Sequence, residues 1–389
     1  MRDDDVLAAV RDLAPVLRER ATGTEALRRV PDGSVEELAA TGFFRLLRPA
    51  AHTGLAADPA VFYAAVKEIA KACGSTGWVA AVLGVQNWHL ALFDWRAQEE
   101  VWGPDPEALI ASSYAPTGTV TPVAGGYRLS GRWHYSAGCD HARWALLGGL
   151  VTDDEGRPVD MPTFLVPRAD YRVDDVWDTV GLRGTGSNDI VVDAAFVPGH
   201  RTLGYGPMGA LSCPGHEVNA EPLYRLPYAA VFTTAVSTAI VGIAEGAYES
   251  YVEATRGRPR DSLGQKAVED PFAQVRIARA AGDIDAAWLQ LTRNIEDLYA
   301  VARGGGQPSM SLRTRARRDQ VLATERAVDA VDLLMQTAGG GPMREPGSVL
   351  QRAWRDVHTG RGHTANDVER ALALFGKDAL GLDVDDPVV

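Results

Sequence analysis

Two stretches of this chain bring together residue types that can do chemistry. The first, Gly131 to Trp144, reads GRWHYSAGCDHARW and mixes aromatic rings, histidines and a serine with small residues. An indole beside glycine and alanine suits a flat conjugated ligand, because the ring supplies apolar area while the small residues let backbone amides approach. An ordinary core strand with hydrogen-bonded surface histidines has the same composition. This stretch alone leaves both interpretations open.

The second stretch, Trp354 to Asp367, reads WRDVHTGRGHTAND and carries His358 and His363. An imidazole titrates near neutral pH, so it can take up or release a proton under working conditions. The structural alternative for His363 is a helix histidine satisfied by Asp356 or Asp367. The residue types alone favour neither interpretation.

Other cofactor classes find little support in the sequence. Cys73, Cys139 and Cys213 are far apart and form no Cys-x-x-Cys pair, which fits neither a disulfide framework nor a zinc site. The glycines from Gly181 to Gly186 precede a predicted strand rather than a helix, whereas a dinucleotide site needs a helix N-terminus for the pyrophosphate. We therefore expect no metal and no nicotinamide cofactor.

The composition narrows the possible partners. The chain has 389 residues, 46% of them hydrophobic, and a formal net charge of -12. Nucleic acids and anionic membranes reward clustered Lys and Arg, so neither is expected as a partner. The N-terminus lacks the order of a signal peptide, and no apolar run reaches the ~18 residues of a membrane span. A cytoplasmic location is the expectation.

Three regions with distinct patterns follow one another along the chain. Helical patterns fill the first hundred residues, short runs of β-type residues broken by Gly, Pro and Asp follow, and helical periodicity then returns. Strands spaced this closely predict an antiparallel, barrel-like sheet, and the C-terminal apolar repeats predict a four-helix bundle. A last helix is predicted from near Val349 to Leu374. The prediction is a mostly helical α+β protein with domains at 1–107, 108–217 and 218–389.

Five segments resemble a known family. Asp178 to Val192, DTVGLRGTGSNDIVV, with Phe196 to Pro198, is similar to the β-domain signature of the acyl-CoA dehydrogenase superfamily. Other segments resemble the oxygenase components of two-component flavin-dependent aromatic hydroxylases, above all those that hydroxylate a phenolic secosteroid in bacterial steroid-ring degradation. These segments are Cys73 to Trp78, Gln86 to Phe93, Ser112 to Pro116 and Trp354 to Asp367.

The resemblance implies roles for individual residues. His363 matches the histidine that promotes the reaction of reduced flavin with oxygen, and Ser136 matches a serine beside flavin N5 and the substrate hydroxyl. Relatives often carry two successive serines, whereas Ala137 follows here, which puts the fine positioning of substrate in doubt. The remaining implied contacts are Trp133, Ser112, Arg183, Thr185, Ser187, Asn188, Arg256 and Arg258 for the cofactor, and Tyr114, His89 and His358 for the substrate.

Each of these assignments has a structural alternative. The arginines suit surface ion pairs equally well, His89 suits a satisfied core histidine, and Tyr114 suits a half-buried strand residue with its hydroxyl at the rim. The resemblance further implies reduced FMN or FAD delivered by a separate flavin reductase, O2 as co-substrate and a homotetramer. It implies a phenolic substrate, either a secosteroid or another aromatic natural product.

An absence separates this chain from dehydrogenases of the same fold. Many acyl-CoA dehydrogenases deprotonate their substrate with a glutamate near the end of the chain, whereas the matching stretch here, Arg361 to Asn366, holds no carboxylate. Three alternatives stay open: an acyl-CoA dehydrogenase-type flavoenzyme, an N- or S-oxygenase of this fold, and a helical scaffold without catalysis.

Overall fold

The computed structural model describes residues 2–153, 155–257, 267–344, 347–384, 386 and 389. Helices come first along the chain. Asp58 accepts the backbone N–H of Ala60 and so caps the third helix, and Asp94 caps the fifth in the same way. The helices are α1 (Asp3–Leu27), α2 (Asp32–Ala40), α3 (Pro59–Ala72), α4 (Gly74–Leu90) and α5 (Trp95–Trp102).

Helix α4 is enclosed by its neighbours. Every residue from Ser75 to Leu90 is buried, because the sequence of this helix is apolar or small on all faces. Gly77 lets α3 approach closely, since a Cβ there would lie 2.3 Å from the Cα of Ala70. Helix α4 therefore carries its few polar side chains into the interior of the protein.

Among the described residues, seven of nine strands form one sheet, in the order β7-β8-β2-β1-β3-β6-β9, and β4 pairs with β5. The strands are β1 (Ile110–Val123), β2 (Gly126–Ser136), β3 (Trp144–Gly149), β4 (Val151–Thr152), β5 (Pro158–Asp160), β6 (Thr163–Pro167), β7 (Tyr171–Asp174), β8 (Asn188–Pro198) and β9 (Thr202–Leu203).

The expectation of a fully antiparallel sheet is wrong for one pair of strands. β1 and β3 run parallel, with Ile110 opposite Trp144. The reason lies in the short connection between β2 and β3. β2 is antiparallel to β1 and ends beside the start of β1, and the turn Cys139–His141 then takes the chain to the other side of β1. β3 then has to leave in the same direction as β1.

The C-terminal half is helical. The predicted last helix is wrong as a single element, because α11 ends at Arg361 and a separate turn, Thr364–Asn366, precedes α12. The bundle consists of α7, α8, α9 and the α11–α12 segment. The elements are α6 (Tyr205–Gly209), α7 (Tyr228–Gly257), α8 (Pro271–Arg303), α9 (Met310–Met335), α10 (Gly341–Arg344), α11 (Val349–Arg361) and α12 (Val368–Ala379).

Helix α7 is a long, apolar element. By length and composition alone it could cross a membrane, with a mean hydropathy of 1.5 over an 18-residue window, and 94% of that window is buried inside the protein. The expectation that no apolar run reaches such a length is therefore wrong for α7. Its apolar surface packs against α3, α4, α8, α9 and α11, as expected of the central helix of a bundle.

Candidate active site

The two chemical stretches meet at α4. Trp78 packs edge-on against His363, with 5.7 Å between ring centroids. The next residue, Val79, lies against Gly138, where an added Cβ would come within 2.9 Å of Val79 Cγ1. Consecutive residues of one buried helix therefore contact both stretches that the sequence singles out.

Ser136 ends β2 with a buried hydroxyl. Its side chain has no exposed surface, and its Oγ has no hydrogen-bond partner among the residues that the structure describes. The register of β2 shifts just before it, and Tyr135 has a φ of +65°, which aromatic residues rarely adopt. An unsatisfied buried hydroxyl costs about 1–3 kcal/mol. A strained strand end that holds such a group indicates a ligand contact.

His363 is not the helix histidine that the structural alternative expected. It precedes the turn Thr364–Asn366, and its Nδ1 accepts the backbone N–H of Ala365 at 3.0 Å. The ring also lies near Phe232, with centroids 6.2 Å apart. Burial lowers the pKa of His363 to about 4. Because Nδ1 is an acceptor, the neutral ring carries its proton on Nε2 and presents a donor there.

Four side chains of α4 and β1 form a directed hydrogen-bond chain. The amide of Gln86 donates to Ser112 Oγ at 3.0 Å, and its Oε1 accepts the Tyr114 hydroxyl at 2.6 Å. Because Tyr114 donates to Gln86, its oxygen accepts from His89 Nδ1, 2.9 Å away. His89 Nε2 is then an acceptor, and it is buried with no partner among the described residues. Burial lowers the pKa of His89 to about 3, so the ring stays neutral.

Aromatic rings surround this chain. Tyr228 and Phe232 are stacked one turn apart on α7, with centroids 5.7 Å apart and planes 5° from parallel. Both rings are nearly perpendicular to the Tyr114 ring, with centroid distances of 5.8 Å for Tyr228 and 5.4 Å for Phe232. Tyr228 and Phe232 are not among the site residues predicted from the sequence, although their spacing of four residues indicates a shared helix face.

Trp133 lies outside the aromatic cluster around Tyr114. Its indole is fully buried in the sheet, its Nε1 donates to the Gly148 carbonyl at 2.7 Å, and its ring packs over Gly118 and Gly131. Successive residues of a strand point to opposite faces, so this ring turns toward the core of the sheet. Trp133 offers no surface to a flavin in this structure, contrary to the expected stacking.

His358 is also separate from the aromatic cluster. Its Nε2 lies 3.0 Å from Asp332 Oδ1, and its ring packs on Trp354 with centroids 4.8 Å apart. Trp354 donates to the same carboxylate oxygen at 2.6 Å. The structure therefore brings His89 and Tyr114 together but places His358 in a second, half-exposed cluster on α11.

The residues predicted to contact the flavin phosphate or ribityl chain form hydrogen bonds and ion pairs in and around the loop before β8. Thr185 and Ser187 share a hydrogen bond of 2.7 Å, and Asn188 Oδ1 accepts two backbone N–H groups. Arg183 pairs with Asp178 at 2.5 Å. These side chains fix the shape of the loop, and contact with a flavin stays a prediction for each of them.

The two arginines expected to reach the flavin from a neighbouring subunit lie at the end of α7. Arg256 is exposed and pairs with Glu253 at 2.8 Å. Arg258 lies outside the described residues. A role for either residue stays a prediction.

Helical region, sheet and helical bundle, in this order, define the class of protein. Residues 234–368 match the family described as "Acyl-CoA dehydrogenase, C-terminal domain". The crystal structure of 3-HSA hydroxylase from Rhodococcus sp. RHA1 has a TM-score of 0.94 and 52% identity, and the match covers 99% of both chains. The expected acyl-CoA dehydrogenase fold is confirmed.

Sequence relatives narrow this class. The chain is 53% identical to the flavin-dependent monooxygenase oxygenase subunit HsaA of Rhodococcus jostii RHA1, over 97% of this chain and 98% of the relative. It is 34% identical to the oxygenase component of the FADH(2)-dependent resorcinol hydroxylase of Rhizobium sp. MTP-10005, over 97% and 94%. This chain belongs to the family of flavin-dependent monooxygenase oxygenase subunits. It is an enzyme that works with a separate partner component.

The residues of the site fit a flavin. The unpartnered Ser136 hydroxyl and the Nε2–H of His363 offer hydrogen bonds to the polar edge of an isoalloxazine. The described residues contain no group of three or more His, Cys, Asp or Glu side chains that could hold a metal ion.

Proposed function

We propose that this chain uses reduced flavin and O2 to hydroxylate a phenolic substrate beside its hydroxyl group. One observation carries the proposal: an unpartnered, buried hydrogen-bond acceptor, His89 Nε2, lies among aromatic rings. A phenol complements both features, since its ring packs on the aromatic side chains and its hydroxyl donates to Nε2.

His89 orients the phenol more than it deprotonates it. With a pKa lowered to about 3, the imidazole accepts a hydrogen bond but is a weak base. That hydrogen bond still directs phenol oxygen electrons into the ring and activates the carbon beside the hydroxyl. Tyr114 and Gln86 hold His89 in the accepting tautomer, so these two residues determine which atom faces the substrate.

His363 and Ser136 act on the flavin side. When bound, the reduced flavin supplies two electrons to O2, so that one oxygen atom enters the ring and the other leaves as water. His363 would donate a hydrogen bond from Nε2–H toward oxygen, and Ser136 would hold the flavin through its buried hydroxyl. The buried aromatic walls exclude water, which limits loss of electrons as hydrogen peroxide.

The partner that supplies the flavin is a flavin reductase. We propose FADH2 as the first cofactor to test, because the resorcinol hydroxylase relative is named as FADH(2)-dependent, with FMNH2 as the second. Arg183, with Arg256 and Arg258 of a neighbouring subunit, would meet the phosphate. We also propose that regions 1–107, 108–217 and 218–389 are domains and that the protein is cytoplasmic.

Isotope labelling tests the reaction. Purified protein receives chemically reduced FAD or FMN, a panel of phenols that includes a phenolic secosteroid, and ¹⁸O2. The proposal expects a catechol product with one labelled oxygen atom. Turnover without oxygen, by an artificial electron acceptor and an acyl thioester, would support a dehydrogenase instead. Labelled N- or S-oxides from non-phenolic substrates would support the other alternative.

His89→Leu tests the substrate contact. Loss of one hydrogen bond is expected to weaken phenol binding by about fivefold, because a net bond contributes ~1 kcal/mol. Substrate titrations and hydrogen peroxide yield measure this change, while the affinity for reduced flavin should stay at the wild-type value. His200→Gln is the matched control, since His200 pairs with Glu100 away from the aromatic cluster. Equal phenol affinity in His89→Leu and wild type would refute the contact.

A further inference from the structure

Five polar side chains are buried together behind the His363 turn. They come from three elements of the bundle and are at most 8% exposed. Buried polar groups cost free energy unless their hydrogen bonds are complete, so a cluster of five inside a helical bundle has to be well connected. The residues are Ser237 of α7, Arg317, Gln320 and Thr324 of α9, and Asn366 of the turn.

The hydrogen bonds converge on Asn366. Its Oδ1 accepts from Gln320 Nε2 at 2.7 Å and from Thr324 Oγ1 at 3.2 Å. Its Nδ2 donates to the Gly360 carbonyl in the last turn of α11, at 2.9 Å. The Asn366 amide thus connects α9 to the end of α11 and cannot rotate without breaking several bonds.

A second arm holds the residue before Asn366. Arg317 donates from Nη1 to the Ala365 carbonyl at 3.2 Å and to Gln320 Oε1. Gln320 also donates to Ser237 Oγ at 2.5 Å. The turn is therefore fixed at two successive residues, by one backbone carbonyl and one side-chain amide.

Ala365 is the residue whose N–H donates to His363 Nδ1. We propose that Gln320 and Asn366 are positioning residues that hold this turn so that His363 keeps Nδ1 as the acceptor and Nε2–H as the donor. Neither side chain needs to touch flavin or substrate. This inference rests on the proposed function, because it concerns the histidine assigned to the oxygen reaction.

The surroundings of His363 make its titration a sensitive readout. The ring packs against Trp78 of α4 and Phe232 of α7, and burial alone accounts for the pKa of about 4. If the turn loosens, water reaches the ring and Nδ1 loses its donor, and both changes raise the pKa toward its ordinary value. Each charged group around the turn has a hydrogen-bond partner other than the His363 ring: Arg317 bonds to Ala365 and Gln320, Arg361 to Glu325, and Asp367 to the backbone N–H of Arg370.

Gln320→Leu tests the proposal, with Thr324→Val as a milder variant that removes one bond to Asn366. The pKa of His363 is measured in full-length, flavin-free protein from the pH dependence of deuterium exchange at the imidazole carbon between the two nitrogens, read by peptide mass spectrometry. Coupling is measured as hydrogen peroxide formed per reduced flavin oxidised. Tyr251→Phe is the matched control, because the Tyr251 hydroxyl also links α7 to another part of the bundle, by a bond of 2.9 Å to Thr337 just after α9, but does not touch the turn.

The expected result in Gln320→Leu is a clear rise of the pKa of His363 and a slowing of the oxygen reaction by about tenfold or more, as for a displaced catalytic group. Thr324→Val shifts both readouts less, and Tyr251→Phe shifts neither. Folded Gln320→Leu protein with wild-type values for both readouts would overturn the proposal. If Gln320→Leu does not fold, Thr324→Val decides by the same criterion.

Different results would refute the proposed function and the positioning role of Gln320 and Asn366. A wild-type protein that binds reduced flavin but hydroxylates no phenol would refute the proposed function. A raised pKa of His363 in Gln320→Leu would still support the positioning role in that case. Wild-type hydroxylation with an unchanged His363 in the variant would refute the positioning role alone.

Discussion

At the scale of single residues, two histidines present opposite chemistry through the same ring atom. His89 donates a hydrogen bond from Nδ1–H to Tyr114 and leaves Nε2 as an acceptor, whereas His363 accepts at Nδ1 and leaves Nε2–H as a donor. Both rings have lowered pKa values because they are buried, so both are neutral at neutral pH. The partner of Nδ1 therefore decides the role of each histidine.

His363→Ala is expected to slow the reaction of reduced flavin with oxygen by about 10²-fold, the lower range for loss of a positioned acid or base. The folded pKa is depressed to about 4, so the neutral form is lost only as the pH falls through that value. The wild-type rate should thus show no step from His363 between about pH 5 and pH 8. Stopped-flow absorbance of the flavin measures both effects, and an acid limb near pH 6.5 that is absent in the variant would contradict them.

Trp133→Ala distinguishes a core role from a flavin contact. The buried indole is expected to contribute about 3–5 kcal/mol to the free energy of unfolding, because its loss leaves a cavity in the sheet. Urea unfolding measures that loss, and Tyr135→Ala is the control, since this neighbouring ring is 73% exposed. A variant with normal stability and weakened flavin binding would restore the stacking role.

At the scale of elements, α4, α11 and the loop before β8 assemble the site. Helix α4 carries Trp78 to His363 and Gln86 and His89 to Tyr114. Helix α11 is tied to the loop by Asp356, whose Oδ1 accepts the backbone N–H of Leu182 at 2.6 Å. Leu182 has a φ of +50°, so this bond stabilises an unfavourable backbone conformation where the loop meets the bundle.

Asp356 is expected to make stability depend on pH. Burial raises its pKa from 3.8 to about 7, so the folded protein binds a proton that the unfolded chain releases. This contribution is complete below the unfolded value and is lost as the pH rises through about 7. Its full size is on the order of 4 kcal/mol.

Thermal unfolding measures this effect. The Tm of the wild type should fall as the pH rises from about 5 to 8, and Asp356→Asn should flatten the curve while still accepting the Leu182 N–H. Thr22→Val is a control. Thr22 of α1 accepts a hydrogen bond from Arg352, which lies on α11 with Asp356, but the Thr22 side chain itself does not titrate. Parallel curves for wild type and Asp356→Asn would exclude Asp356 as the source.

At the scale of the whole molecule, the sheet lies between two helical regions in the chain, and the bundle supplies both α7 with its aromatic rings and the His363 turn. The outer face of α8 carries exposed apolar side chains. Phe272 and Val275, one turn apart, are 65% and 53% exposed, which is unusual for apolar side chains on a long helix. Clustered apolar exposure of this kind is commonly covered in an assembly.

We predict a homotetramer, that is, four copies of the 41.7 kDa chain. Mass photometry of the purified protein measures the assembly, and Phe272→Asp with Val275→Asp should shift it toward smaller species if α8 is part of the contact. Glu269→Asp, nearby on the chain, is the control. A monomer at micromolar concentration would contradict the prediction and would leave no neighbouring subunit to supply Arg256.

The sequence by itself determined what is encoded locally. The order of helical, β and helical patterns predicts the fold, and short motifs identify His363 and Ser136 as candidate residues, because their neighbours along the chain carry the resemblance. The absence of a carboxylate from Arg361 to Asn366 likewise argues against a dehydrogenase.

The tertiary structure decided what depends on contacts between distant residues. Trp133 faces the sheet core because of strand alternation and the gap over Gly118 and Gly131. His363 lies outside a helix because Asn366 bonds to α9 and to the end of α11. The tautomer of each histidine follows from a partner that the fold supplies, and such long-range hydrogen bonds leave no periodic signal in a sequence.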